Sequence, residues 1–478
     1  MSGGWRTRSA ILVGGAILLG LALRTYHYLR DPVVWHDEAA LIVNVLALDF
    51  VELLGPLRHA EAAPPLFLWL ERATALLLGD GTLALRLPPF LASIAALALI
   101  AWTAWREMGP AAAAWAVFLI ACSDRLLWHA CEAKPYALDV LCATVLLALF
   151  SATREWRIGR RAWAFVPLMP LIVWVSYPGC FLCGGLLLAL LPEIWRDRRP
   201  ASLIAFGMLG LAVVGSFALL YYGPARAQRC GAMDSCWTGQ FPDWGRPWTV
   251  PIWSLASTLD VARYCFMPWG YPLAALAAIG GIRLCRTGCG DFVTIAAAPL
   301  GLNLLAALLH DYPYGGARVV VHAAPAMAFL SAAGIGPCLD WLRVRARPAA
   351  FAATAVLLMP LGLSLYHVAV PWFRADSAAA AAYALDRRTA DEPVFGNHWE
   401  YEYYCRGIGD HFQYLPPDLP QSDGRLWVVY TAFEARDRAA ELDVLTRGRI
   451  VLDRREYIGA SVILLGPMPP ATQSTAAK

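Results

Sequence analysis

Charge is scarce in this chain. Of its 478 residues only 16% are Asp, Glu, Lys or Arg, whereas 59% are hydrophobic, and the apolar residues fall in long repeated blocks. A formal net charge of +3 on so long a chain, with no basic arm and no basic groove interleaved with aromatics, excludes nucleic acid as a partner. Also missing is a Gly-rich phosphate loop of the kind that cradles a nucleotide. Twelve cysteines are present, yet none has convincing zinc-site spacing. Cys180 and Cys183 form a CxxC inside an apolar block with no His or acid beside it, which reads as packing. Cys285 and Cys289 lack further ligands nearby. No metal and no cofactor is expected to be required.

What is abundant is membrane-spanning sequence. The block 9–29 follows "MSGGWRTR" and has the basic start of a signal peptide, but its length and the lack of a small-residue cleavage site mark a retained span. Further spans are expected near 84–105, 110–124, 137–152, 162–176, 179–192, 201–222, 269–284, 292–309, 318–338 and 349–370, about eleven in all. "PPLFLWLERATALLLG" (64–79) carries Glu71 and Arg72 at its middle, where lipid makes charge expensive, so it is expected to lie along the membrane surface. With it excluded, Arg106, the cluster Arg154 to Arg161, Arg196 to Arg199, Arg283 and Arg286, and Arg343 to Arg347 fall in alternate loops. The positive-inside rule then places the N-terminus, with Arg6 and Arg8, in the cytoplasm, in an inner (plasma) membrane. Many of the twenty tryptophans and eighteen tyrosines stand near block ends, as in interfacial belts.

This topology turns the polar clusters outward. "WHDEA" lies in the first outer loop (30–83), "WHACEAKPY" in 125–136 and "HDYPYGGAR" in 310–318; another outer loop spans 223–268, where Cys230 and Cys236 are close enough for a disulfide in an oxidising compartment. The tail from 371 differs in kind. "EPVFG", "RLWVVYT", "GRIVLDRRE" and "ASVILLG" read as strands and "EARDRAAELDVLTR" as a helix, so the fold class is an all-α polytopic membrane protein, residues 1–370, with a small C-terminal α/β domain, 371–478, outside the membrane.

"VVWHDEAAL" (33–41) has two readings. Asp37 as the N-cap and Glu38 in the first turn of a helix over "AALIVNVLAL" would satisfy helix chemistry alone. An aromatic, a histidine and two acids together at a membrane interface also suit a catalytic carboxylate, and a helix start holds such a group in place.

In order along the chain, "WHDEA", "APPLFLWL", "GDGTLALRLPPFLA", "CEAKPYALDVL" and "YPYGGARVVVHAAPAMAFLSAAG" resemble the GT-C glycosyltransferases of the protein mannosyltransferase and aminoarabinose transferase type. The resemblance runs over residues 9–340; the tail beyond 371 matches no motif of that family. It implies inverting transfer of a sugar from a polyprenyl-phosphate carrier to a hydroxyl acceptor, which is a lipid, a glycan or a protein, on the outer face of the membrane. Membrane lipids and that donor are the implied partners. By the same resemblance Asp37 is the candidate general base, Glu38 either tunes it by like charge or caps local backbone, and Glu132 is a second acid that orients the acceptor or pairs with Lys134.

The leaving group is a lipid phosphate, for which Lys134 and Arg318, and more weakly Arg58, are the candidate contacts. Relatives often carry Lys or His directly before the proline pair; here Ala63 stands there, with His59 or Lys134 as substitutes. His36, His59, Tyr136, His310 and Tyr314 are further candidate substrate contacts. The plain alternatives are a headgroup-facing cation, a loop-surface acid and a hydrogen-bonded structural histidine. The competing function is a lipid or glycolipid transporter or flippase, but such proteins place functional charge at mid-membrane and show internal repeats, neither of which is visible here.

Overall fold

The computed structural model describes residues 3–417, 419–420, 424–432 and 441–467. It divides into two compact units: one holds residues up to Asp31 and then Leu48–Pro371, and the other joins Pro32–Ala47 to the chain from Trp372 onward. Helix α1 (Gly3–Leu29) and helix α3 (Pro65–Leu78) belong to the first unit, whereas helix α2 (His36–Ala47) belongs to the second.

In the first unit, seven described helices are long and apolar enough to cross a membrane, and two bent helix pairs pass the same test together. Shorter apolar helices span Pro110–Ala121 and Tyr136–Ala152. Each expected span falls on one of these elements, and the protein is a multi-pass integral membrane protein. The stretch 223–268, read as an outer loop, contains the helix Val250–Cys265, which turns by 106° into Gly270–Arg286. Asp260 and Arg263 lower its apolar content, which hid it in a hydropathy pattern. The corner needs Gly270, because a Cβ there would lie 2.1 Å from the Cα of Arg263.

Several buried charges in this unit are paired or capped. Arg24, buried in α1, donates to the carbonyls of Gly20 at 3.1 Å and Ile120 at 3.0 Å, so a cation closes the C-terminal end of the helix Pro110–Ala121. Arg154 holds Glu107 and Asp291, each at 2.8 Å. In α3, Glu71 is fully enclosed while Leu76, Leu77 and Leu78 are exposed.

The second unit is a five-stranded sheet in the order β2-β1-β3-β5-β4, built from β1 (Val394–Gly396), β2 (Phe412–Tyr414), β3 (Leu426–Thr431), β4 (Val451–Tyr457) and β5 (Ala460–Leu465). β1 pairs in parallel with β2 and β3, and β5 is antiparallel to both β3 and β4. Strand periodicity sends alternate side chains to opposite faces. Trp427, Val429, Val462 and Leu464 meet Ala380, Ala381 and Ala384 of the helix Ser377–Arg387, while Leu426, Val428, Ile463 and Leu465 pack on the other face. β3 and β5 are buried throughout, which their near-continuous apolar sequence anticipates. β4 forms an edge with Asp453, Arg454, Arg455 and Glu456, and such charge discourages pairing with another chain. Of the helix expected over 434–447, residues 434–440 lie outside the described residues and 441–445 are helical.

Candidate functional site

In the second unit, α2 opens with "HDEA", and the first backbone bond runs from the Ala39 N–H to the Trp35 carbonyl at 2.9 Å. Trp35 is therefore the cap, and Asp37 is the second helical residue, not the N-cap that the plain reading required. Asp37 is half-buried in the first turn, where the helix dipole favours a carboxylate. Its neighbour Glu38 is fully buried, and Arg374 Nη1 reaches Glu38 Oε2 at 3.3 Å and the Val33 carbonyl at 2.7 Å. The Val34 N–H donates to the Tyr404 hydroxyl at 2.9 Å. The His36 ring lies 5.7 Å from the His398 ring and 6.2 Å from that of Trp399. Burial lowers the His398 pKa and pushes the Glu400 carboxyl up to about 7.

In the first unit a different constellation forms around the segment Cys131–Tyr136, every residue of which is buried. Glu132 is therefore no loop-surface acid. Its carboxylate accepts the Trp128 indole N–H at 2.8 Å and meets His129 Nδ1, while His129 Nε2 faces the Tyr264 hydroxyl at 3.0 Å. Trp128 and His129 lie on the helix Asp124–His129, one turn before Glu132, so local geometry aims both at it. Lys134, 1% exposed, donates to the carboxylate of Glu61. Tyr136 starts the next helix, with its ring 4.8 Å from that of His129.

Cations gather here. Arg125 lies 5.5 Å from the ring centre of Tyr264, whose hydroxyl faces His129. Arg318, half-buried, stacks over Trp237 at 5.7 Å and starts the 3-10 turn that leads into the helix Ala324–Arg345.

Tyr314 and His310 have other neighbours, and Arg58 and His59 stand in the chain just before Glu61. Tyr314 is buried, with its hydroxyl on Thr258 at 3.0 Å, which is a packing role. His310 is exposed and stacks on Phe241 at 5.1 Å. Arg58 is exposed, and His59 sits at a positive φ of 64° in the turn beside it. Cys230 and Cys236 are exposed and free.

Glu61, Arg125, Tyr177 and Gln228 are among the residues that escaped the sequence reading. Glu61 precedes the proline pair by three residues, and Arg125 shares a segment with "WHACEAKPY"; both had that adjacency as a signal. Tyr177 and Gln228 had none. The backbone of Ala63 is held by both, its N–H on Gln228 at 3.1 Å and its carbonyl on Tyr177 at 3.0 Å. An apolar residue before the proline pair is thus positioned through its main chain.

No family model matches the sequence, and no curated protein matches it. Solved structures do match. ArnT from Cupriavidus metallidurans bound to undecaprenyl phosphate is similar over 97% of this chain and 98% of its own, with a TM-score of 0.58 at 14% identity. The same enzyme in the apo state gives 0.54 at 13% identity, over 94% of this chain and 98% of its own. The Archaeoglobus fulgidus oligosaccharyltransferase, in complex with Zn and sulfate, covers 91% of this chain and 70% of its own, at 0.56 and 12%. At such identities the likeness is one of architecture: apolar helices followed by a small C-terminal sheet, in the GT-C fold.

Proposed function

We propose that this chain is a glycosyltransferase that takes a sugar from a polyprenyl-phosphate carrier and joins it, with inversion, to a hydroxyl of a lipid, glycan or protein acceptor. The observation that carries the reading is the buried cluster of Lys134, Glu132 and His129 with Arg125 and Arg318 nearby, in a chain with the GT-C fold. Enclosed cations suit a lipid phosphate, because charge that develops on the leaving group is stabilised most where water is excluded. Asp37 takes the proton from the acceptor hydroxyl as its oxygen attacks the anomeric carbon. Lys134 and Arg318 bind the departing phosphate. Glu132 holds His129, and Glu61 holds Lys134, in the orientation this needs. No metal is assigned a part. The protein sits in the inner membrane with its N-terminus in the cytoplasm and its polar loops and C-terminal domain outside, where a lipid-borne donor replaces nucleotide sugars.

The test is transfer from radiolabelled undecaprenyl-phosphate sugars to a panel of lipid, glycan and peptide acceptors, with the purified protein in nanodiscs. Label is expected in one acceptor class. Binding of undecaprenyl phosphate without transfer to any acceptor, together with movement of the labelled lipid between leaflets, would replace this reading with a flippase.

A further inference from the structure

A general base at a helix start has a physical difficulty. The first turn is the part of a helix that frays, since its leading N–H groups have no partners within the helix. A carboxylate on the second residue of α2 needs an anchor outside the helix if it is to stay on one line of attack. Such an anchor comes from 336 residues further along the chain.

Arg374 stands just before the helix Ser377–Arg387, and its side chain is 3% exposed. One guanidinium nitrogen holds the Val33 carbonyl ahead of the turn and the Glu38 carboxylate within it, so Trp35, His36 and Asp37 form an arc pinned at both ends. The Tyr404 hydroxyl takes the Val34 N–H within the same arc. Glu38 is wholly enclosed, and loss of Arg374 would take a cation 3.3 Å away from a buried carboxylate. We infer that Arg374 is a positioning residue: through Glu38 and Val33 it sets the direction of the Asp37 carboxylate, so the catalytic arc is held by the C-terminal unit and the pair Asp37-Glu38 divides into one acid for chemistry and one for anchorage. This rests on the proposed role of Asp37.

The experiment uses the full chain in nanodiscs, with undecaprenyl-phosphate-linked sugar as donor, and compares Arg374→Gln, Arg374→Lys, Glu38→Gln and the double variant Arg374→Gln/Glu38→Gln. Arg374→Gln is expected to lower kcat by about 10-fold or more with the donor KM within about twofold, as a small misplacement of a reacting group does. Arg374→Lys recovers most of the rate. The double variant is no slower than Arg374→Gln alone, because the two residues act as one clamp. A second readout needs no turnover: amide exchange over residues 33–41 should quicken in Arg374→Gln and return toward wild type in Arg374→Lys. Unchanged exchange there overturns the inference, whatever the activity. Quickened exchange with wild-type kcat overturns it too, leaving Arg374 a purely structural clamp. Absence of transfer by the wild-type protein, with exchange quickened in Arg374→Gln, instead defeats the glycosyltransferase reading and leaves the clamp intact.

Discussion

The opening of α2 and the segment Cys131–Tyr136 both set acids against cations, but they handle exposure in opposite ways. In the first, Glu38 is sealed against Arg374 while Asp37, one residue earlier, remains half-buried. In the second, Glu132 and Lys134 are both sealed, each with a partner at hand. A group that exchanges a proton with an incoming hydroxyl has to be reachable, whereas a group that fixes a neighbour's orientation works best enclosed. On the proposed reading, the three acids expected to be catalytic separate into a half-buried one for proton transfer, Asp37, and two enclosed anchors, Glu38 and Glu132.

The sharpest way to break this comparison is Asp37→Asn. The amide keeps size and hydrogen bonding but cannot take the proton, so a loss of about 10²-fold or more in kcat is expected, with insertion and donor binding retained. Since Trp35 occupies the cap, no cap effect competes with this expectation. Transfer at near wild-type rate in a correctly inserted Asp37→Asn protein would return Asp37 to a structural role.

A smaller effect is expected at the sealed cation. If Lys134 contacts the phosphate as proposed, Lys134→Ala should cost about 1.5 to 3 kcal/mol, seen as weaker donor binding by titration with undecaprenyl phosphate. Glu61→Gln tests whether the loss belongs to the lysine or to the pair. If Lys134 works only by neutralising Glu61, Lys134→Met/Glu61→Gln should restore binding; if it touches phosphate, it should not.

Glu132→Gln is expected to do less, about 1 kcal/mol, because an amide oxygen still accepts the Trp128 N–H. The loss should appear in kcat rather than in donor binding. A loss as large as that of Asp37→Asn would move Glu132 from anchor to reacting group.

How far these roles were legible differs between the two regions for a physical reason. Apolar block length is a one-dimensional signal, so the spans could be read directly, and short, near-continuous apolar runs rich in β-formers over "RLWVVYT" and "ASVILLG" revealed the strands. Bends are not written in hydropathy: the 106° corner at Gly270 depends on how closely two backbones approach. "WHDEA" and "CEAKPY" stood out because polar residues cluster there against an apolar background. Their partners did not. Arg374 is one of many arginines until folding brings it to Glu38, and Gln228 has no local pattern that ties it to Ala63.

The smallest effect on transfer is expected at Glu400, where the two regions differ in what burial does to a carboxylate. Glu132 has Trp128 and His129 on it, whereas burial outweighs what Glu400, 2% exposed, receives from its own backbone N–H, from Thr431 and from the more distant His398 at 3.9 Å. Its pKa rises from an ordinary 4.5 to about 7 in the folded protein. Between those two values the folded chain keeps a proton that the unfolded chain has released. Stability from this group is therefore full below about pH 4.5, falls as pH climbs toward 7 and is level above that. Glu400→Gln removes the titration. The difference in melting temperature between Glu400→Gln and wild type should widen in favour of the variant from pH 5 to about pH 7 and then hold, while kcat at pH 7 changes little. A difference that stays constant across that range would mean that Glu400 titrates normally and that its burial is compensated as fully as that of Glu132.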